Sequence, residues 1–155
     1  MNAPHWHLAL NHLPVVGMLF GALLLLFAVW RKDDGLIRTC LGVIALAALT
    51  AVPVYLTGEP AETEIMDAPD FVEALAEAHE RAASVAFTAA IIVGVISGAG
   101  LFAFRKAPAL PAWFKAAVLG VTLIASGLLG WTANLGGKIH HPEIRPASEP
   151  AKAKP

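Results

Sequence analysis

Four long apolar stretches decide what this chain can fold into. They cover roughly residues 8–30, 37–57, 82–104 and 111–135, and no Asp, Glu, Lys or Arg lies deep inside any of them. Lys115 sits near an end, where its stem can lie along apolar surface while the ammonium reaches water. A bilayer core about 30 Å thick takes about 20 apolar residues as a helix, so each stretch is long enough to cross one. Backbone groups in hydrocarbon must bond one another, which leaves only helices and closed barrels. The runs are continuous rather than alternating, which excludes a barrel. The expected fold is therefore all-α: an integral membrane antiparallel four-helix bundle.

Composition narrows the class further. Of 155 residues 57% are hydrophobic and 15% charged, well away from an ordinary soluble domain. The net charge of −1 gives no reason to expect a nucleic-acid partner. A single cysteine, Cys40, allows neither an internal disulfide nor a Cys-x-x-Cys-His haem attachment. The amino terminus lacks the positive segment and the small-residue cleavage site of a signal peptide, so the first apolar stretch reads as a retained helix. The spans free of ionisable groups argue against an ion or proton transporter.

Breakers set the expected limits. Pro14 suits a first turn or a kink. Gly58 and the pair Gly136-Gly137 suit helix ends. Asp67-Ala-Pro-Asp70 reads as a helix start, with an acid as cap and proline in the first turn. From there Phe71, Leu75 and His79 recur every fourth residue and share one face. The third helix is thus expected to begin outside the membrane, giving helices at about 8–30, 37–57, 69–104 and 111–135. Together they make one domain, 1–141, followed by an irregular proline-rich tail, 142–155. Ala82, Ala86, Ala90, Gly94 and Gly98 form a small-residue stripe below His79, which suits close helix packing. Gly17 with Gly21 and Gly127 with Gly130 are similar pairs.

Loop charges give an orientation. Arg31, Lys32, Arg38, Arg105 and Lys106 flank the first and third links, whereas the second link carries Glu59, Glu62, Glu64, Asp67, Asp70, Glu73, Glu77 and Glu80 against Arg81 alone. Positive residues favour the cytoplasm. Both termini and the acidic loop are then expected outside, which in a bacterial inner membrane is the periplasm. The Lys138, Arg145, Lys152 and Lys154 of the tail are a mild counter-signal.

Four antiparallel helices also bring all six histidines to one end: His5, His7 and His12 at the start of the first helix, His79 at the head of the third, and His140 and His141 after the fourth. A polar ring inside an apolar run or on an apolar face costs free energy unless it is partnered, which singles out His12 and His79. His7 and His140 come next, and then His141. His5 is the plainest case of a ring at ease at an interface. His7 and His12 are five apart, about 140° around a helix, and cannot readily chelate one ion together. Three chemistries fit. One is haem b, one or two groups, held by axial pairs drawn from His7, His12, His79, His140 and His141. Another is a Cu, Zn or Fe ion held by histidines with Glu59, Glu80 or Glu143. The last is a cofactor-free, hydrogen-bonded cap that docks a partner.

The run His7-Leu-Ala-Leu-Asn-His12-Leu-Pro14 resembles the opening of a bacterial family of predicted four-helix membrane proteins of unknown function. Thr57-Gly58-Glu59, His79-Glu80 and Gly136-Gly137-Lys-Ile-His140-His141-Pro142-Glu143 are similar to it as well. That family often has proline after its first histidine, where this chain has Leu8. The resemblance implies the same four-helix plan and the same histidines, and no established activity. The expected function is a haem b-binding membrane electron-transfer protein, partnered by lipid and by other membrane or periplasmic redox subunits. A structural or anchoring subunit without a cofactor is the alternative. Nothing in the chain resembles a nucleophile triad or a phosphate loop, so turnover is not expected of it alone.

Overall fold

The computed structural model describes residues 2–145. It comprises α1 (Ala3–Leu10), α2 (His12–Arg31), α3 (Asp34–Ile65), α4 (Glu73–Ala103), α5 (Ala112–His140) and a single 3-10 turn, Pro142–Ile144. Among the described residues there is no strand. The last ten residues of the proline-rich tail lie outside the described part. Helices α2, α3, α4 and α5 form a ring in which each packs on the next and α5 returns to α2, while α1 lies along α3. The protein is an all-α four-helix bundle whose four helices (α1 with α2 counting as one) are long and apolar enough to cross a membrane.

Helix α3 has 32 residues and is about 48 Å long, so it exceeds a 30 Å hydrocarbon core. Its excess lies at the acidic end. α1 and α2 form one rod interrupted at Asn11. The interruption has a local cause: Pro14 lacks an N–H and its ring crowds the carbonyl of Leu10, four residues back.

Four helix limits differ from the sequence expectation by more than three residues, the first being the start of the first rod, at Ala3 and not near residue 8. α3 does not end at Gly58 but continues through Pro60 to Ile65, and α5 runs through Gly136 and Gly137 to His140. A glycine stops a helix when it adopts a left-handed conformation, and no described glycine has positive φ. The Asp67–Asp70 segment is a series of turns, and α4 starts later, at Glu73, after an extended Val72. Leu75, four residues before His79 on α4, is nonetheless buried, and so is Phe71, which precedes the helix.

Close approach holds the ring together. A Cβ on Gly17 would lie 3.0 Å from Ala47, one on Gly21 2.8 Å from Ile44, and one on Gly94 2.5 Å from the methyl of Ala48. Gly100 is covered by the Phe114 ring. Ala86 and Ala90 are buried, so the stripe below His79 does serve packing. Gly98, Gly127 and Gly130 face open space and take no part in it. The outward surface is apolar, with Trp30, Leu46, Val95, Phe102 and Trp131 all more than half exposed.

The basic end is stitched by polar contacts. Lys32 ends α2 in a left-handed conformation, and Asp33 caps the Leu36 amide at 2.9 Å. Asp34 accepts the Leu110 amide at 3.0 Å and the Lys115 ammonium at 3.3 Å. Arg38 donates to the carbonyls of Phe104 and Ala107 at 2.9 and 2.7 Å, tying α3 to the turn that follows α4.

Gly94→Ala is expected to destabilise the bundle by about 1–3 kcal/mol, because the Ala48 methyl cannot yield without parting α3 from α4. Gly98→Ala, on the same helix but in open space, is expected to be neutral or slightly stabilising. Unfolding of the detergent-solubilised variants by a denaturing detergent measures both.

Candidate histidine site

Two histidines are fixed at the acidic end. His7, on α1, donates its Nδ1 hydrogen to the Val54 carbonyl of α3 at 3.1 Å, with the Thr57 hydroxyl also 3.2 Å from Nδ1. His79, on α4, donates its Nδ1 hydrogen to the Thr132 carbonyl of α5 at 3.0 Å. A carbonyl oxygen only accepts, so each Nδ1 carries the hydrogen and each Nε2 keeps its lone pair. Among the described residues, nothing on the protein bonds either Nε2. An Nδ1–H held by a carbonyl is the arrangement that orients an imidazole for a metal at Nε2.

A glycine lies against each ring, and one of the two makes room for it. A Cβ on Gly58 would lie 3.7 Å from the His7 ring, an ordinary contact. One on Gly136 would lie 3.0 Å from the Cε1 of His79 and 3.2 Å from its Nδ1, tighter than side chains normally tolerate.

Both rings are half-buried and stand outside the apolar stretches. Burial holds the His79 imidazole below the usual 6.5, opposed by its bond to Thr132, while His7 and His140 disfavour its proton further. His7 is lowered in the same way, by burial first, against the pull of Val54 and with help from His140. Burial also lowers His140, with His141 adding to it and Asp70 opposing. His7, His79 and His140 therefore share one electrostatic neighbourhood, to which α1, α4 and α5 contribute one ring each.

The other histidines lie apart. His12, ranked first on sequence, is exposed, because the rotation of about 140° that separates it from His7 turns it outward once His7 faces α3. His141 is exposed and pairs with the Glu143 carboxylate at 2.9 Å. His5 is exposed too.

Beside the rings lies the acidic end of α3 and α4. Burial, then the charges of Glu80, Glu59, Glu73 and Glu77, push the Glu62 carboxyl above its ordinary range. The Asn11 side-chain oxygen is buried without a partner, one helical turn from His7. Arg145 was not singled out by sequence, yet it closes this end. It donates to the Lys138 and Ile139 carbonyls at 2.7 and 2.8 Å and to the Asp70 carbonyl at 2.9 Å. It thus caps α5 and ties it to the segment leading into α4. A basic residue five positions past a helix end was the available signal.

No group of three His, Cys, Asp or Glu side chains among the described residues is placed to hold an ion. The set of Glu59, Glu80 and Glu143 with the histidines is therefore not assembled as a bare-metal site. Two shallow apolar depressions lie elsewhere: one of about 340 Å³ beside Val85 and Ile92, the other of about 230 Å³ between α3 and α4 at Ala48 and Gly94. Comparison with family models, curated proteins and solved structures finds no match for this chain.

Gly136→Ala is expected to push the His79 ring off the Thr132 carbonyl and to move its imidazole nitrogen resonances. Gly58→Ala is expected to leave those of His7 in place. Nitrogen NMR of the histidine-labelled protein distinguishes the two.

Proposed function

We propose that this chain is a haem b-binding electron-transfer protein of the bacterial inner membrane, a subunit of a larger redox complex, with its histidine site at the periplasmic face. One observation carries the reading: two imidazoles from different helix pairs, each locked at Nδ1 by a backbone carbonyl, present free Nε2 atoms at the same end of the bundle. Haem iron takes two axial protein ligands, whereas a bare zinc or copper ion takes three or more, and no such trio is assembled among the described residues.

The donor set fits haem: two imidazoles with free Nε2 atoms and no thiol requirement. α1 has no buried residue and joins α2 through the Asn11 break, and His7 is a polar tie between it and α3. Bound there, haem supplies one-electron redox chemistry. The chain's own residues orient the imidazoles, and Asn11 and Thr57 offer polar atoms beside His7. The basic residues gathered at the opposite end support a cytoplasmic placement of that end.

A cofactor-free structural subunit is the second reading. It is favoured by the fact that each imidazole already bridges two helices, α1 to α3 and α4 to α5.

Elemental analysis of the purified protein, together with a reduced-minus-oxidised visible spectrum, separates these readings. Haem b is expected, with iron as the metal present. A metal-free, colourless protein that co-purifies with a partner supports the structural reading, and another metal in place of iron overturns both.

A further inference from the structure

The end of the bundle opposite the histidines carries a charge imbalance that closure does not absorb. Arg31, Lys32, Arg38, Arg105, Lys106 and Lys115 meet only two carboxylates in the links there, Asp33 and Asp34. Both turn inward: Asp33 accepts the Leu36 amide, and Asp34 accepts the Leu110 amide and the Lys115 ammonium. Arg38 is engaged by two carbonyls. Arg31, Lys32, Arg105 and Lys106 are all exposed, and among the described residues none of them pairs with a carboxylate.

The turn from α4 to α5 gives two of these cations a fixed place. Arg38 holds the carbonyls of Phe104 and Ala107, so Arg105 and Lys106 stand between two pinned groups. The Ala107 amide closes on the Phe104 carbonyl at 3.0 Å and tightens the turn. The Arg105 guanidinium does not reach away from the protein. It lies 4.0 Å from the centroid of the Phe102 ring and donates one amino group to the Phe102 carbonyl at 2.9 Å. A guanidinium is weakly hydrated and stacks on aromatic faces, so it tolerates this place at the apolar boundary. Phe102 is 69% exposed on the outward apolar surface, and Trp113, 68% exposed, stands edge-on to Phe104 at 6.5 Å. An indole, apolar in body and with one N–H, belongs at the level of lipid headgroups.

We infer that the α4–α5 turn is a binding site for an anionic phospholipid headgroup, with Arg105 and Lys106 on its phosphate and Phe102 and Trp113 beside the start of its chains. Three features select that occupant. The Nε and second amino group of Arg105, unbonded among the described residues, form the fork that matches two oxygens of a phosphodiester. The apolar surface next to the turn suits acyl chains, which a soluble phosphate lacks. A zwitterionic headgroup would bring its own ammonium to cations without counter-charge, whereas an anionic one supplies that charge. Arg31 and Lys32, equally exposed, have no such seat, because no ion pair or ring contact fixes either side chain among the described residues. The site needs the bundle to lie in a membrane and holds whether or not the histidine end carries haem.

Native mass spectrometry of the purified protein in non-ionic detergent tests this, with equal amounts of phosphatidylglycerol and phosphatidylcholine of the same chain length. Each cation at a membrane surface contributes about fivefold to anionic-lipid binding, so the wild type is expected to prefer phosphatidylglycerol by about tenfold or more. Arg105→Gln combined with Lys106→Gln is expected to bind it about 25-fold more weakly and to lose the preference. Phe102→Leu keeps every charge and is expected to weaken binding by about two- to fivefold. Arg31→Gln is expected to match the wild type. A wild type without the preference overturns the site, as does a double variant that keeps it. An Arg31→Gln variant that loses as much as Arg105→Gln also overturns it, because the charge then acts diffusely. Excess inorganic phosphate is expected to leave the lipid in place, and its release would assign the turn to free phosphate and overturn the lipid. Circular dichroism checks the double variant. If that variant is unfolded, Lys106→Gln alone takes its place, a loss of about fivefold supporting the site and unchanged binding overturning it.

Discussion

A hydrogen bond from an imidazole to a backbone carbonyl is the interaction on which the rest of this structure depends. It fixes a ring that would otherwise rotate, selects its tautomer and leaves one lone pair aimed away from the anchor. It also joins helices, α1 to α3 through His7 and α4 to α5 through His79. The carbonyls involved already belong to helices, and His79 reaches its own because Gly136 has no side chain, whereas His7 makes only an ordinary contact with Gly58. Both glycines sit within continuous helix and do not end it.

The two ends of the bundle solve different problems with one tactic. At both ends an arginine bonds carbonyls where a helix finishes: Arg38 in the turn after α4, Arg145 on the last turn of α5. At the basic end Arg38, Lys115 and Asp34 are engaged in closure, with Asp34 serving both Leu110 and Lys115. At the acidic end they are not, and the carboxylates around Glu62 repel one another beside neutral rings. Self-repulsion of this kind costs stability, whereas the small-residue contacts of Gly21 with Ile44 and Gly94 with Ala48 hold the ring of helices below it. Stability and site chemistry are thus separated along the helix axes.

Much of the fold was legible in the sequence because lipid imposes a coarse rule: long charge-free runs have few alternatives to helices. The gathering of histidines at one end followed from helix parity alone. What the runs did not disclose was which face of each helix points inward, since a membrane helix is apolar all round. His12 was for that reason ranked above His7, although their spacing already placed them on different faces; only the packing of α1 on α3 decides between them. Helix ends at Gly58 and Gly136 were misread because glycine marks both a stop and a close approach, and the two differ in backbone φ, which residue type does not reveal. Arg145 was passed over as part of a polar tail, its role depending on carbonyls brought together from Asp70 and α5.

The central claim is that His7 and His79 present their Nε2 atoms to a single iron. Low-temperature electron paramagnetic resonance of the oxidised protein in membranes tests it most directly, because the ferric signal reports the axial ligands themselves. The account predicts one low-spin signal of the bis-imidazole type, lost when either histidine is replaced. A high-spin signal, or the absence of any ferric signal from protein shown to be intact, would contradict it.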